Sequence, residues 1–266
     1  MVACGGILHK NARFMETIEH IRDLPMLGND AIHIWGVHVP DVLDRIDALR
    51  SVLCEKEQAK AARFYREGDR NSSIVARGAL RILLGGYSGI PPERILFDYS
   101  ENGKPFLAPS PVPKSKSQLE VGDTEEGHRD ACDILAFNVS HSGEWVVLAI
   151  GQNRNIGVDV EKIRRGMDVM SIASRYFTPE EAVLIEKSED QHALFFHHWA
   201  RKEAYVKATG SALFRELSTF SVPNEDAEKD GWFFQRLEAG SNYATAIVSD
   251  KPVLSLPCYD FSKLNW

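Results

Sequence analysis

The hydrophobic positions of the chain follow two patterns, one with a period of two residues and one with a period of three to four. The first pattern runs from Ala31 to Val39 and predicts a β-strand, on which His33 and His38 are expected to face outward. The second pattern predicts helices over 41–53, 55–65 and 69–85 and after residue 178. Further strand-like stretches lie at 95–99, 135–150, 156–161, 220–222, 231–235 and 243–248.

Two stretches follow neither pattern. Residues 1–30 mix charged and small side chains, so we expect a loosely ordered N-terminal extension. Residues from about 108 to 133 are rich in proline, serine, lysine and acidic side chains, few of which could fill a core. We expect this second stretch to be a mobile insertion.

Composition narrows the class of protein. A chain of 266 residues that is 44% hydrophobic is long enough for one large domain or two small ones. The net charge of -7 argues against a dedicated nucleic-acid binder. Scattered cysteines, with no Cys-x-x-Cys pair, no secretory signal and no long apolar run, favour a cytoplasmic protein that contacts no membrane.

A local basic patch departs from the acidic balance. Residues 56–81 contain seven basic side chains against three acidic ones, so an anionic ligand is plausible there. Arg77 and Arg81 lie four residues apart on a predicted helix, where like charges repel each other. Either an anionic partner binds the two arginines, or both side chains are solvated.

Two short segments carry candidate chemistry. Asp159 and Glu161 alternate with valines on a predicted strand, so their carboxylates share one face, as at a cation-binding edge or on a half-solvated strand. Glu203 and Lys207 lie four apart in helical sequence, which places an acid and a base side by side. Alone, such a pair is also typical of a surface ion pair.

The combination of these segments resembles a known signature. Gly157-Val158-Asp159-Val160-Glu161, followed by Trp199-x-x-Lys202-Glu203-Ala204-x-x-Lys207, is similar to the signature of the Sfp-type 4'-phosphopantetheinyl transferases. Gly103-Lys104-Pro105 resembles the family's Gly-Lys-Pro turn, and Asn138-Val139-Ser140-His141-Ser142 resembles its Asn-x-Ser-His-Ser motif. These motifs occur in the expected order over residues 50–210, outside the insertion.

The resemblance implies a fold and a reaction. The fold would be α/β (α+β), a pseudo-dimer of two similar halves at 31–150 and 151–266. Each half would be a small, mainly antiparallel sheet packed against helices, with the active site at the interface. The reaction would transfer the 4'-phosphopantetheine group of coenzyme A to a serine hydroxyl of an apo acyl, peptidyl or aryl carrier protein. Adenosine 3',5'-bisphosphate would be released by a monomeric enzyme.

The resemblance also implies residue roles. Asp159, Glu161 and Glu203 would hold Mg²⁺, or alternatively Mn²⁺, through hard oxygen ligands. Glu203 would accept the serine proton, directly or through water, and Lys207 would donate to the departing phosphate. Contacts with coenzyme A are expected from Lys60, Arg63, Lys104, Pro105, Ser140, His141, Asp159, Glu203 and Lys207.

Two other classes of protein remain open. A magnesium-dependent nuclease also combines acids with a glutamate and a lysine, but usually two apart on a strand, whereas Glu203 and Lys207 are four apart in helical sequence. A non-catalytic module that binds coenzyme A or a carrier protein would lack one of the metal-binding acids or the lysine. The chain lacks none of them.

Overall fold

The computed structural model describes residues 20–108, 135–211, 217–237 and 240–266. The first 19 residues of the expected extension and nearly all of the expected insertion, 109–133, lie outside the described residues. The helices are α1 (Ile46–Ser51), α2 (Glu55–Ala62), α3 (Glu67–Ser88), α4 (Val169–Tyr176), α5 (Pro179–Glu186) and α6 (Gln191–Thr209). The strands are β1 (Ile32–His38), β2 (Phe97–Tyr99), β3 (Pro105–Leu107), β4 (Leu135–Ser142), β5 (Trp145–Gln152), β6 (Ile156–Lys162), β7 (Ala227–Lys229), β8 (Trp232–Gln235), β9 (Tyr243–Ser249) and β10 (Cys258–Asp260).

The first sheet has four strands in the order β10-β1-β5-β4. Its strands are antiparallel except for β10, which pairs with β1 in parallel. The apolar face of α3, including Val75, Leu83 and Leu84, packs with side chains of β1, β4 and β5 in one hydrophobic core. α3 ends where Gly89 adopts a left-handed conformation that suits glycine.

The second sheet has four antiparallel strands in the order β6-β9-β8-β7. α6 lies directly on β6 and β9. At Gly157 of β6, an added Cβ would lie 1.8 Å from the carbonyl oxygen of Ala204 in α6. Glycine at this position therefore lets the helix backbone touch the strand backbone, which brings the acids of β6 close to Glu203 of α6.

The two sheets meet along their edge strands, β4 and β6, through side chains. Asn138 Oδ1 accepts a hydrogen bond from the Val158 backbone N–H at 2.8 Å. Ser140 Oγ donates to Asp159 Oδ1 at 2.7 Å, and Ser142 Oγ donates to Glu161 Oε2 at 3.0 Å. Because side chains two apart on a strand share a face, β4 presents one polar row to β6.

The architecture confirms the expected mixed α+β class with mainly antiparallel sheets packed against helices. The division at residue 151 stays a prediction, and β10 crosses it by joining the first sheet. In the described part of the expected extension, Leu27 is buried and the Ile21 N–H donates to the Asn265 carbonyl. None of the helices in the described ranges is long and apolar enough to span a membrane.

Two local expectations were wrong, and one predicted helix differs in type over its first residues. His33 and His38 are 3% and 5% exposed, because β1 lies between two other strands and both its faces are covered. The segment 41–53 begins as a 3-10 helix over Val39–Arg45 before α1. No strand forms at 220–222, where Lys202 binds the Phe220 carbonyl instead.

Candidate active site

Asp159 and Glu161 of β6 lie near Glu203 of α6 in a partly buried acidic cluster. Asp159 is 3% exposed and Glu203 is 7% exposed. Burial, reinforced by the charge of Asp159, raises the pKa of Glu161 and that of Glu203 to about 7 each. Oδ2 of Asp159 and Oε1 of Glu203 are buried and have no hydrogen-bond partner within the described residues. The cluster therefore has unused oxygen ligands and an excess of negative charge.

Lys207 partly offsets this charge. Its Nζ lies 2.7 Å from Asp159 Oδ1, 3.0 Å from Ser140 Oγ and 3.3 Å from the Val158 carbonyl oxygen. The charge of Lys207 acts to lower the pKa of Glu203, its expected partner on the same helix. The ion pair, however, forms between Lys207 and Asp159. Lys207 thus joins α6 to β6.

The expected metal ligands do not form a complete metal-coordination site among the described residues. Among the described residues, no group of three or more histidine, cysteine, aspartate or glutamate side chains is arranged to hold a metal ion. The orphaned oxygens of Asp159 and Glu203 nevertheless suit a hard cation. Mg²⁺ commonly binds one or two carboxylates and completes its shell with water and substrate phosphates, so the residues present fit this ion.

A cavity of about 510 Å³ opens beside Lys207. Lys60, Lys104, Pro105, His141 and Lys207, all expected as site residues, line it. Its wall also includes Gly103, Asn138, Gly210 and Ser211. The cavity is therefore formed by side chains from both sides of residue 151, and several of them are basic.

Other expected residues lie away from the cavity wall. Ser140 donates a hydrogen bond to Asp159, whereas its neighbour His141 lines the cavity. Burial, followed by the charge of Lys207, lowers the pKa of His141. Arg63, Asp159, Glu161 and Glu203 are not among the described residues that line the cavity.

Lys56 and Arg77 of the basic patch predicted at 56–81 also line the cavity, although neither was assigned as a coenzyme A contact. Arg77 stacks over Phe97 at 4.5 Å, and its Nη1 is buried without a hydrogen-bond partner in the described ranges. Arg77 Nε lies 3.4 Å from Glu57 Oε1, and Arg81 Nε lies 2.8 Å from Glu57 Oε2. The carboxylate of Glu57 therefore offsets the repulsion between the two arginines. The clustering of basic residues at 56–81 was the available signal.

The Gly-Lys-Pro turn makes contacts that its motif did not predict. Lys104 Nζ donates to the carbonyl oxygens of Ala208 at 2.9 Å and Ile156 at 3.2 Å. Asn102 Nδ2 donates to the Gly210 carbonyl oxygen at 2.7 Å. Burial lowers the pKa of Lys104 to about 8. The ammonium group of Lys104 is thus bound to protein carbonyls.

Lys202, which follows the motif but had no expected role, is part of the core. Its side chain is 0% exposed, and its Nζ lies 2.9 Å from Glu181 Oε2 and 2.6 Å from the Leu217 carbonyl oxygen. Glu181 Oε1 also accepts a hydrogen bond from the Val222 N–H at 2.9 Å. Lys202 therefore links α6 to α5 and to the loop before β7.

Family models match both parts of the chain. A model described as the 4'-phosphopantetheinyl transferase superfamily matches residues 155–253. A second model, described as 4'-phosphopantetheinyl transferase, N-terminal, matches residues 42–153. The two matches together contain the acidic cluster, Lys207 and all the described residues of the cavity wall.

Individual relatives agree with the family models. The chain is 32% identical over 227 residues to 4'-phosphopantetheinyl transferase HetI of Nostoc sp., with 83% of this chain and 88% of the relative covered. It is 29% identical over 232 residues to a 4'-phosphopantetheinyl transferase of Bacillus subtilis, covering 82% and 92%. It is 28% identical over 193 residues to 4'-phosphopantetheinyl transferase Sfp of the same species, covering 71% and 75%.

Proposed function

The chain belongs to the 4'-phosphopantetheinyl transferase family, of the Sfp type, and on that premise we propose that it takes the phosphopantetheine group from coenzyme A. The acceptor is the serine hydroxyl of an apo acyl, peptidyl or aryl carrier protein, and the product that leaves is adenosine 3',5'-bisphosphate. The observation that carries this proposal is the partly buried acidic cluster of Asp159, Glu161 and Glu203 joined through Lys207 to a cavity with a basic wall.

The cavity suits a donor with several phosphates. Lys56, Lys60, Arg77 and Lys207 bring positive charge to its wall, and Coulomb attraction to phosphate is strong where water is partly excluded. Lys60, Lys104, Pro105, His141 and Lys207 are the expected coenzyme A contacts that reach this wall. Arg63 lies just beyond α2 and is proposed to act on the same phosphates from the rim.

The acidic cluster suits Mg²⁺, with Mn²⁺ as an alternative. Asp159, Glu161 and Glu203 would hold the ion, which when bound offsets the negative charge of the diphosphate during transfer. The orphaned oxygens and the raised pKa of Glu161 and Glu203 support this assignment, because a cation would satisfy the oxygens and stabilise the ionised carboxylates. The cluster is destabilised without positive charge.

Glu203 and Lys207 are proposed to carry the protons. Glu203 is a buried carboxylate one helical turn from Lys207, and we propose that it accepts the serine proton directly or through water. Lys207 reaches both Asp159 and the cavity wall, and its ammonium group donates a hydrogen bond to the departing phosphate. Ser140 holds Asp159 in place rather than contacting coenzyme A.

We further infer the arrangement of the whole enzyme. The halves 31–150 and 151–266 are proposed to form a pseudo-dimer with the active site at their interface. Lining of the cavity by Lys60 and His141 from one side and Lys207 and Gly210 from the other supports this view. A monomer acting in the cytoplasm, without nucleic acid or membrane as a partner, completes the proposal.

The proposal is tested by incubating the protein with coenzyme A, Mg²⁺ and several unmodified carrier proteins and measuring the intact mass of each carrier. We expect a mass gain of one phosphopantetheine group on at least one carrier. Omission of Mg²⁺ with added chelator, and a carrier whose acceptor serine is replaced by alanine, should each abolish the gain. Binding of coenzyme A without any modified carrier would favour a binding module, and cleavage of DNA or RNA under the same conditions would favour a nuclease.

A further inference from the structure

The catalytic residues proposed above lie in the second half of α6, whose end has an unusual set of partners. The last carbonyl groups of a helix have no partners within the helix. α6 ends where Gly210 adopts a left-handed conformation with φ of 70°. At this end of the helix the carbonyl oxygens of Ala208 and Gly210 accept hydrogen bonds from Lys104 and Asn102, which are more than 100 residues away in sequence.

The segment that supplies these donors is a turn with its own hydrogen bonds. The Ser100 N–H donates to the Lys104 carbonyl oxygen at 2.9 Å, and the Gly103 N–H donates to the Ser100 carbonyl oxygen at 2.8 Å. Gly103 has a φ of 79°, a conformation that favours glycine. The turn joins β2 to β3, and Phe97 of β2 packs edge-on against Phe137 of β4. The turn is therefore held by the first sheet.

Lys104 also reaches β6. Its Nζ contacts the Ile156 carbonyl oxygen at 3.2 Å, three residues before Asp159. One ammonium group thus ties the end of the helix that carries Glu203 and Lys207 to the start of the strand that carries Asp159. A cation at a helix C-terminus is favourable because the helix dipole is negative there.

We propose that Asn102 and Lys104 are positioning residues that hold the end of α6 against β6 and thereby align Lys207 with Asp159. The turn over residues 100–104 acts through the helix, and the Lys104 ammonium group does not bind a phosphate of coenzyme A. This role differs from the ligand contact expected from the Gly-Lys-Pro motif, and it rests on the proposed function of Glu203 and Lys207. Pro105 keeps its place on the cavity wall.

Steady-state kinetics with coenzyme A and with 3'-dephospho-coenzyme A distinguish a positioning role of Lys104 from a contact with the substrate. Lys104→Met keeps the length of the side chain but removes its N–H donors, and Asn102→Ala removes the second donor. We expect each variant to lower kcat roughly tenfold, because small misplacements of reacting groups are costly. The KM should stay nearly unchanged for both coenzyme A and 3'-dephospho-coenzyme A, and Lys104→Arg should restore part of kcat. The exposed Lys187→Met is the matched control.

A raised KM for coenzyme A with unchanged kcat, and no such effect with 3'-dephospho-coenzyme A, would make Lys104 a phosphate contact and overturn the positioning role. A wild-type protein that modifies no carrier would instead overturn the proposed function.

Amide hydrogen exchange tests the same idea without activity. Lys104→Met should speed exchange in the last turn of α6, around residues 205–210, while leaving α3 and β5 as in the wild type. Unchanged exchange in that turn would contradict the proposal, whatever the activity of the variant.

Discussion

Ser140 and Asp159 are joined by a hydrogen bond of 2.7 Å between Oγ and Oδ1, across the edge strands of two different sheets. Lys207 Nζ contacts both atoms, at 3.0 Å and 2.7 Å respectively. The orientation of Asp159 therefore depends on β4 and α6 as well as on its own strand. This three-residue contact leaves Oδ2 of Asp159 without a partner in the described ranges and available to a cation.

Ser140→Ala should raise the Mg²⁺ concentration needed for half-maximal activity. Groups that orient metal ligands commonly contribute tenfold or more to metal affinity, so we expect an increase of about tenfold. The measurement is the rate of carrier modification against Mg²⁺ concentration. Ser174→Ala removes an exposed hydroxyl in α4 and serves as the control. An unchanged Mg²⁺ requirement in Ser140→Ala would remove Ser140 from this role.

Gly157→Ala should strongly destabilise the fold. The new methyl group would lie 1.8 Å from the Ala204 carbonyl oxygen and 2.5 Å from the Ala208 nitrogen, so α6 would have to move away from β6. We expect a loss of at least about 2 kcal/mol in the free energy of unfolding. Denaturant unfolding measures it, with Gly166→Ala as control, since a Cβ there meets nothing within 4 Å. Equal stability of the two variants would argue against close packing of α6 on β6.

His33 should make the protein sensitive to mild acid. Burial lowers the pKa of His33 from 6.5 to about 4, so between these values the unfolded chain binds a proton that the folded protein does not. The free energy of unfolding should therefore fall by up to about 3 kcal/mol because of His33 as the pH falls from 6.5 towards 4.

The His33 prediction is checked by unfolding at a series of pH values. His33→Gln should flatten the dependence between pH 6.5 and 4, whereas the same change at the exposed His20 should not. His197, whose pKa burial also lowers to about 4, leaves a residual slope in both variants. Identical slopes in wild type and His33→Gln would contradict the burial of a neutral His33.

Much of the site was predictable because its residues follow short-range rules. Asp159 and Glu161 share a strand face, and Glu203 and Lys207 lie one turn apart on a helix, so local periodicity and motif identify all four. The basic cavity wall also follows from residues close in sequence, on α2 and α3. The class of fold followed from the same patterns and from the family resemblance.

The contacts that the sequence did not predict depend on distant elements. His33 is buried because Tyr87 of α3 and Tyr259 of β10 cover its strand, and its Nδ1 lies 2.7 Å from the Tyr87 hydroxyl. The direction of Lys104 is decided by the end of α6, which no pattern near Lys104 encodes. Alternation predicts that a strand has two faces, but it does not say what covers the second one.

We propose that the acidic cluster performs the transfer, with Glu203 as the base. The most direct measurement is the rate at which an apo carrier protein gains phosphopantetheine mass at saturating coenzyme A and Mg²⁺, compared between wild type, Glu203→Gln and the exposed Glu186→Gln. We predict that Glu186→Gln matches the wild type. Glu203→Gln should remain folded by circular dichroism and be slower by at least roughly a hundredfold. A folded Glu203→Gln variant with near-normal turnover would contradict the account.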